Sequence, residues 1–319
     1  MSETDIHMNI PDLNEVVIKA LDLHSSYEIP ELRLPAARKR LVVASGNALP
    51  TGRILFSGEY VVLSDEGQYR AVLRADPDVE AAVVISASGE KDAPLIVGDL
   101  IENPPVEGFP KPHLITCRPQ STAAKLLPAD HVLTTRSIPD EPITYNTSTY
   151  LGMILSKTRE NPLGIKEYLL ETVKPLVTGL KEFTAFYLLL PSEFEAVAPM
   201  FVTKFDELFG GRVNGRCYTV DQTLHAKTVI PWDKELFISF GYDNQDFGTT
   251  PRCRLNIPLP ADAGPACAIA AGYYAIGSLQ AQMPPWFKEH ADEYKQIQKK
   301  LFEKLKASQA SHPAKNPLK

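Results

Sequence analysis

The chain has 319 residues, 44% of them hydrophobic and 23% charged, with a net charge of −6 and an isoelectric point near 5.7. This composition fits a globular chain long enough for two ordinary domains, and it offers no basic footprint for nucleic acid. No apolar run reaches the roughly 20 residues that span a bilayer, and the acidic start MSETDIHMNIPDLNE lacks a signal core. A cytoplasmic protein with no membrane partner is therefore expected. Cys117, Cys217, Cys253 and Cys267 lie far apart without a CxxC pair, and read as reduced packing thiols.

In chain order, residues 1–35 read as an N-terminal helical arm. Short β-rich runs then fall at 40–45, 59–64, 81–86, 113–117 and 131–135, with helix-length segments between them, including 92–102 and 121–128. Buried runs separated by helices predict a parallel sheet covered on both faces. Two longer helices follow, at 147–158 and 162–177, the second opened by Asn161 and Pro162.

The pattern restarts near 179. A strand is predicted at 184–191, then a helix over SEFEAVAPMFVTKFDELFGG closed by Gly210 and Gly211, then strands at 216–220, 235–240 and 254–259. An Ala-rich helix (265–281) precedes Pro284 and Pro285. A last amphipathic helix runs from 284 to 307, with Phe287, Ala291, Tyr294, Ile297, Leu301 and Leu305 on one side. Its charge run reads as a solvated face, and residues 308–319 as a disordered tail. The expected fold is α/β: two doubly wound parallel-sheet subdomains of flavodoxin-like winding, 36–178 and 179–283, plus the C-terminal helix.

The most informative stretch is VVISASGEKDAP, where a buried strand ends in Ser86, Ala87, Ser88 and Gly89 before a helix start. Free N–H groups, a helix dipole and small hydroxyls make such a junction suited to an anion, and Lys91 adds a positive charge. An ordinary serine-capped turn would use the same letters.

The stretch ISASGEKDAP resembles the ISxSGxTxxT loop of the sugar isomerase (SIS) family, and neighbouring segments follow in that family's order. VVASGNALPTG (42–52) looks like its first strand and glycine turn, with Ser45, Gly46 and Asn47 facing the sugar phosphate. LITCRPQSTAAKLLPADHVL is similar to its next strand, turn and helix. YNTSTYLGMIL resembles the STKxYTxQL helix start, with Thr147, Thr149 and Tyr150 matching. Two positions depart from the pattern: Ala87 stands where Gln is frequent, and Lys91 where a phosphate-binding Thr is usual. The resemblance implies a sugar-phosphate ligand held by Ser45, Gly46, Asn47, Ser86, Ala87, Ser88, Gly89, Lys91, Thr147 and Thr149. No metal constellation stands out in the sequence and no cofactor is expected, while the resemblance suggests a homodimer.

For the second half the resemblance is to a degenerate SIS domain. Isomerising members place their base in a K-x-x-E and a ring-opening His about 16 residues later. Here Lys204–Glu207 reads KFDE and His225 follows in TLHAKT, 18 residues after Glu207 and without the family's HGP. A carboxylate of raised pKa suits proton transfer between C1 and C2, and an imidazole suits the ring oxygen. Each also has a structural reading, as a solvated helix-end carboxylate and a core histidine. The overall likeness is to compact phosphoglucose/phosphomannose isomerases. A glutamine-dependent aminotransferase is not expected, since the chain begins Met1-Ser2 with no glutaminase domain. A non-catalytic sensor and an aminosugar-phosphate deaminase are the alternatives. Asp243 and Asp246 lack the ligand spacing of a metal loop, His113 and His131 read as turn residues, and nothing fixes Arg118 or Tyr145 at the site.

Overall fold

The computed structural model describes residues 10–225, 227, 230 and 232–311. The first nine residues of the N-terminal arm and the tail from 312 lie outside the described residues.

Five short apolar runs form the first sheet: β1 (Arg40–Val43), β2 (Val61–Ser64), β3 (Ala81–Ile85), β4 (His113–Thr116) and β5 (Val132–Thr134). All are parallel, in the order β2-β1-β3-β4-β5. Parallel neighbours need crossovers. They are α2 (Ala48–Leu55), α3 (Tyr69–Ala75) and α4 (Ala93–Glu102), preceded in the chain by α1 (Leu13–Ser25). The helix expected at 121–128 is instead two 3₁₀ turns, Ala124–Leu126 and Ala129–His131. Pro128 between them has no N–H to continue a helix.

Two helices follow the sheet: α5 (Thr147–Thr158) and α6 (Pro162–Tyr168), the latter continuing through a π turn (Leu169–Val173) to Leu176. The second half repeats the winding with one strand fewer. Its strands are β6 (Ala185–Leu190), β7 (Asn214–Thr219), β8 (Glu235–Phe240) and β9 (Arg254–Ile257), parallel in the order β7-β6-β8-β9. Its helices are α7 (Ala198–Phe209), α8 (Val220–Leu224) and α9 (Pro265–Gln282), and α10 (Trp286–Ser311) closes the chain. The segment before α7, Ser192–Val197, is a 3₁₀ turn because Pro199 starts the α-helix afresh.

One continuous apolar core joins the halves, from Val42 and Val83 through Leu151 and Ile154 to Phe201, Leu188 and Ile269. The N-terminal helix belongs to that core. Leu13, Val17 and Leu21 of α1 are fully buried, and the Leu13 amide donates to Gln280 Oε1 at 2.9 Å. Gly277 permits this approach, since a Cβ there would lie 2.0 Å from the Asn14 nitrogen. Glu160 fixes α9 from the other side, accepting from the amides of Gly264, Ala266 and Cys267, each at 2.9 Å. A carboxylate at a helix N-terminus satisfies otherwise unpaired donors. The outer face of the second sheet carries a small apolar cluster of Tyr187, Leu189 and Phe237 packed against Phe247. The four cysteines are free thiols, three buried and Cys117 half-buried. No helix among the described residues is long and apolar enough to cross a membrane.

His113 and His131, expected as turn residues, stack at the N-terminal edge of the first sheet, centroids 4.4 Å apart and 8° from parallel. Burial, then the His131 and Arg40 charges, push the His113 pKa down to about 4. His24, held by Ser148 O at 2.8 Å, is also lowered, mainly by burial. Both folded pKa values lie below the unfolded value, so this stability is complete above about pH 6.5 and declines as pH falls toward 4. Between pH 7.5 and 4.5 the parent should lose about 1–2 kcal/mol through His113, less than the full 1.36 kcal/mol per unit because solvent near the ring screens part of the effect. Urea midpoints for parent and His113→Gln should converge in acid. Parallel curves would exclude His113 as the cause.

Candidate functional site

In a doubly wound sheet the crossovers leave β1 and β3 in opposite directions, which opens a crevice above their carboxyl ends. A cleft of about 340 Å³ lies there, within the range of small-molecule sites. Its wall includes Ser45 after β1, Glu66 after β2, Ser86, Ala87 and Ser88 after β3, Lys91 before α4, and Asn146 and Tyr150 at the start of α5.

The β3–α4 loop is tightly wound. The Gly89 amide donates to the carbonyl and to Oγ of Ser86, both at 3.2 Å, and the Glu90 amide donates to Ser88 Oγ at 3.2 Å. The Ala87 carbonyl accepts from the Cys117 amide at 3.0 Å and the Thr116 hydroxyl at 3.1 Å, which ties the loop to the end of β4. Gly89 and Lys91 both take positive φ, +62° and +58°. Two such residues within three positions curl the chain sharply where the strand ends.

Five of the expected ligand residues therefore meet at one cleft: Ser45, Ser86, Ala87, Ser88 and Lys91. Gly89 lies beneath them, buried against Ser121. Gly46 and Asn47 line a separate recess with Arg53, Pro199 and Thr203, at the seam between the halves. Thr147 and Thr149 are buried in the first turn of α5 and do not line the cleft. The Glu141 carboxylate takes up that helix end, accepting from the Thr147 amide at 2.5 Å, the Ser148 amide at 3.1 Å and the Ser148 hydroxyl at 2.5 Å. The Thr147 amide at this helix start is thus already bonded within the chain.

Glu207 sits in a buried ion pair. Lys204, wholly buried, donates to Glu207 Oε2 and to the Thr144 carbonyl, both at 2.6 Å, and its ammonium lies 5.5 Å from the Tyr273 ring. Burial raises the Glu207 pKa, and the Lys204 charge and hydrogen bond oppose the rise. Glu207 is not on the cleft wall, but its charge reaches Tyr150, which is. His225 is exposed at the end of α8, and its amide bonds to Gln222 O at 3.2 Å. It does not line the cleft.

The equivalent strand ends in the second half are closed by their own polar groups. Ser192 donates to Asp221 at 2.5 Å, Asn256 to Asp243 at 2.6 Å, and Gln245 to Asp243 at 2.8 Å. No group of three or more His, Cys, Asp or Glu that could hold a metal occurs among the described residues.

Sequence reasoning missed Glu66 and Glu141, and it quoted Asn146 and Tyr150 without placing them in the site. Glu66 had a usable signal, since LSDEG ends a strand in the same way as ISASG. Glu141 had none: its capping role depends on how a loop folds back over a helix.

This fold is shared with solved structures of sugar-phosphate enzymes. Glucosamine-6-phosphate deaminase from Thermotoga maritima is similar over 84% of this chain and 92% of its own, at 17% identity and a TM-score of 0.56. Tagatose-6-phosphate ketose/aldose isomerase from Escherichia coli is similar over 85% and 87%, at 12% identity and a TM-score of 0.52. Identities this low carry the fold alone. No protein-family model and no curated protein matches the sequence.

Proposed function

We propose that this chain binds a phosphorylated sugar in the β1/β3 cleft and interconverts its aldose and ketose forms. The observation that carries the reading is the Ser86–Ser88 loop, curled at the switch point between β1 and β3 beside Ser45 and Lys91. Its amides and hydroxyls suit a phosphate, and Lys91 supplies a point charge where the related loops use Thr. Glu207 is the proposed base. A carboxylate whose pKa is raised by burial can take the C2 proton and return it to C1 through an enediol, with Lys204 limiting the rise. A second copy of the chain is proposed to complete the site.

The test is solvent-deuterium exchange into C2 of glucose 6-phosphate. Glu207→Gln keeps the shape but cannot accept the proton, so exchange should fall about 100-fold or more while substrate affinity stays nearly constant. Unchanged exchange would put the base elsewhere. A sugar-phosphate sensor is the second reading. It is favoured by His225, which is exposed and off the cleft wall, and by Glu207, which is also off that wall. Binding without any exchange by the parent would establish it.

A further inference from the structure

The last helix, α10, changes character along its length. Its first turns belong to the body of the protein. Phe287 and Ala291 are buried, Phe287 stacks on Tyr145 with centroids 5.5 Å apart, and Lys288 pairs with Asp12 at 3.0 Å. From Lys295 to Leu301 only Gln298 is half-buried, and the rest are exposed, Ile297 at 49% and Leu301 at 55%. At about 3.6 residues per turn, Ile297 and Leu301 extend the line of Phe287, Ala291 and Tyr294. The apolar line therefore runs past the surface it packs on. Exposed apolar surface that continues a buried one suits another molecule.

The charges beside that line favour one partner. Lys288 and Lys295 are taken up within the chain by Asp12 and Asp292. That leaves Glu289 and Glu293 before Ile297, and Lys299, Lys300 and Lys304 after it, with Glu303 the one carboxylate among them. Glu293 and Lys300 are seven residues apart, so both border the apolar line on the edge beside Ile297, while the opposite edge holds neutral Gln298. No described group of the chain pairs with Glu293 or Lys300. Two such helices laid antiparallel set each Glu293 against a Lys300, once on either side of the axis. Laid parallel, they would set Glu293 against Gln298. We propose that the exposed part of α10 pairs antiparallel with α10 of a second copy of this chain. Ile297 lies at the two-fold axis, and Tyr294 packs on Leu301 of the partner subunit. The inference names the surface that holds the second copy proposed above, and it does not depend on what occupies the cleft.

Sedimentation equilibrium of the full chain, from about 1 to about 200 μM, should show a monomer–dimer equilibrium in the micromolar range that so short an interface supports. Added salt should weaken it, because the flanking pairs are exposed. Ile297→Asp should weaken the dimer at least about tenfold. Its thermal melt should stay unchanged, since Ile297 is exposed in the single copy. Glu293→Lys and Lys300→Glu should each weaken self-association about fivefold or more, by setting like charges across the axis. Mixed in equal amounts, these two single variants should dimerise with each other about as tightly as the parent, because the mixed pair restores both Glu–Lys contacts. Parallel helices would give no such rescue. A dimer that survives Ile297→Asp, or a mixture that associates no better than its components, overturns the α10 interface and leaves the second copy to dock elsewhere. A parent that stays monomeric throughout overturns this inference and the second copy together.

Discussion

Gly89→Ala is expected to abolish measurable sugar-phosphate binding and to destabilise the chain. At φ +62° a side chain costs roughly 1–2 kcal/mol by itself. A Cβ would also lie 2.1 Å from Ser121 Oγ and 2.6 Å from Ser121 Cβ, so the loop or the 121–124 turn must move. Overpacking of this kind adds about 1–3 kcal/mol. The movement strains the bond from the Ala123 amide to the Gly89 carbonyl, 3.1 Å, and the two from the Gly89 amide to Ser86. Affinity for glucose 6-phosphate should then fall about 100-fold or more, because the loop changes shape where the phosphate is proposed to sit. Titration calorimetry with a thermal melt checks both effects. Adding Ser121→Gly should recover part of the stability, since it removes the clash but not the dihedral strain. A Gly89→Ala protein that binds like the parent would place the anion site outside this loop.

The second large effect belongs to Lys204. Replacing it with Met leaves the Thr144 carbonyl without its donor and Glu207 without its counter-charge, inside a site where Lys204 is fully buried. Breaking a buried pair from one side costs about 3–5 kcal/mol. The cost should grow with pH. Without Lys204 the Glu207 pKa rises further above the ordinary value, and such a group destabilises progressively as pH climbs from the unfolded pKa to the folded one. Lys204→Met should therefore be closer to the parent at pH 5 than at pH 8 in urea unfolding. Lys204→Met with Glu207→Leu should regain most of the loss, since an apolar pair replaces the ionic one. A loss below about 1 kcal/mol in the single variant would mean that the pair contributes little.

Thr144 adds a reason for that pair to exist. It is β-branched yet takes φ +74°, and Asn146 two residues later takes φ +46°. Backbone of this kind persists where surroundings over-determine it. Lys204 from the second half grips the Thr144 carbonyl, and Glu141 grips the start of α5. Together they set Asn146 and Tyr150 on the cleft wall. The second half thus shapes the site chiefly by holding the first half's helix.

Much of this protein was determined by its sequence alone. Short apolar runs separated by helices specify parallel strands, because only such strands are buried on both faces. The β3–α4 loop was equally legible, as serines and a glycine at a strand end leave a recognisable local pattern, and Ser45, Ser86, Ala87, Ser88 and Lys91 do share one cleft. The tertiary structure decided which neighbours that loop has. Glu141 folds back onto the helix start that holds Thr147 and Thr149, and α8 ends with His225 in solvent, placements that no local pattern announces. Gly46 and Asn47 turn to the seam while adjacent Ser45 faces the cleft. Local conformation follows from adjacent residues, whereas a side chain's partner depends on segments that are distant in sequence and adjacent only after the chain has packed.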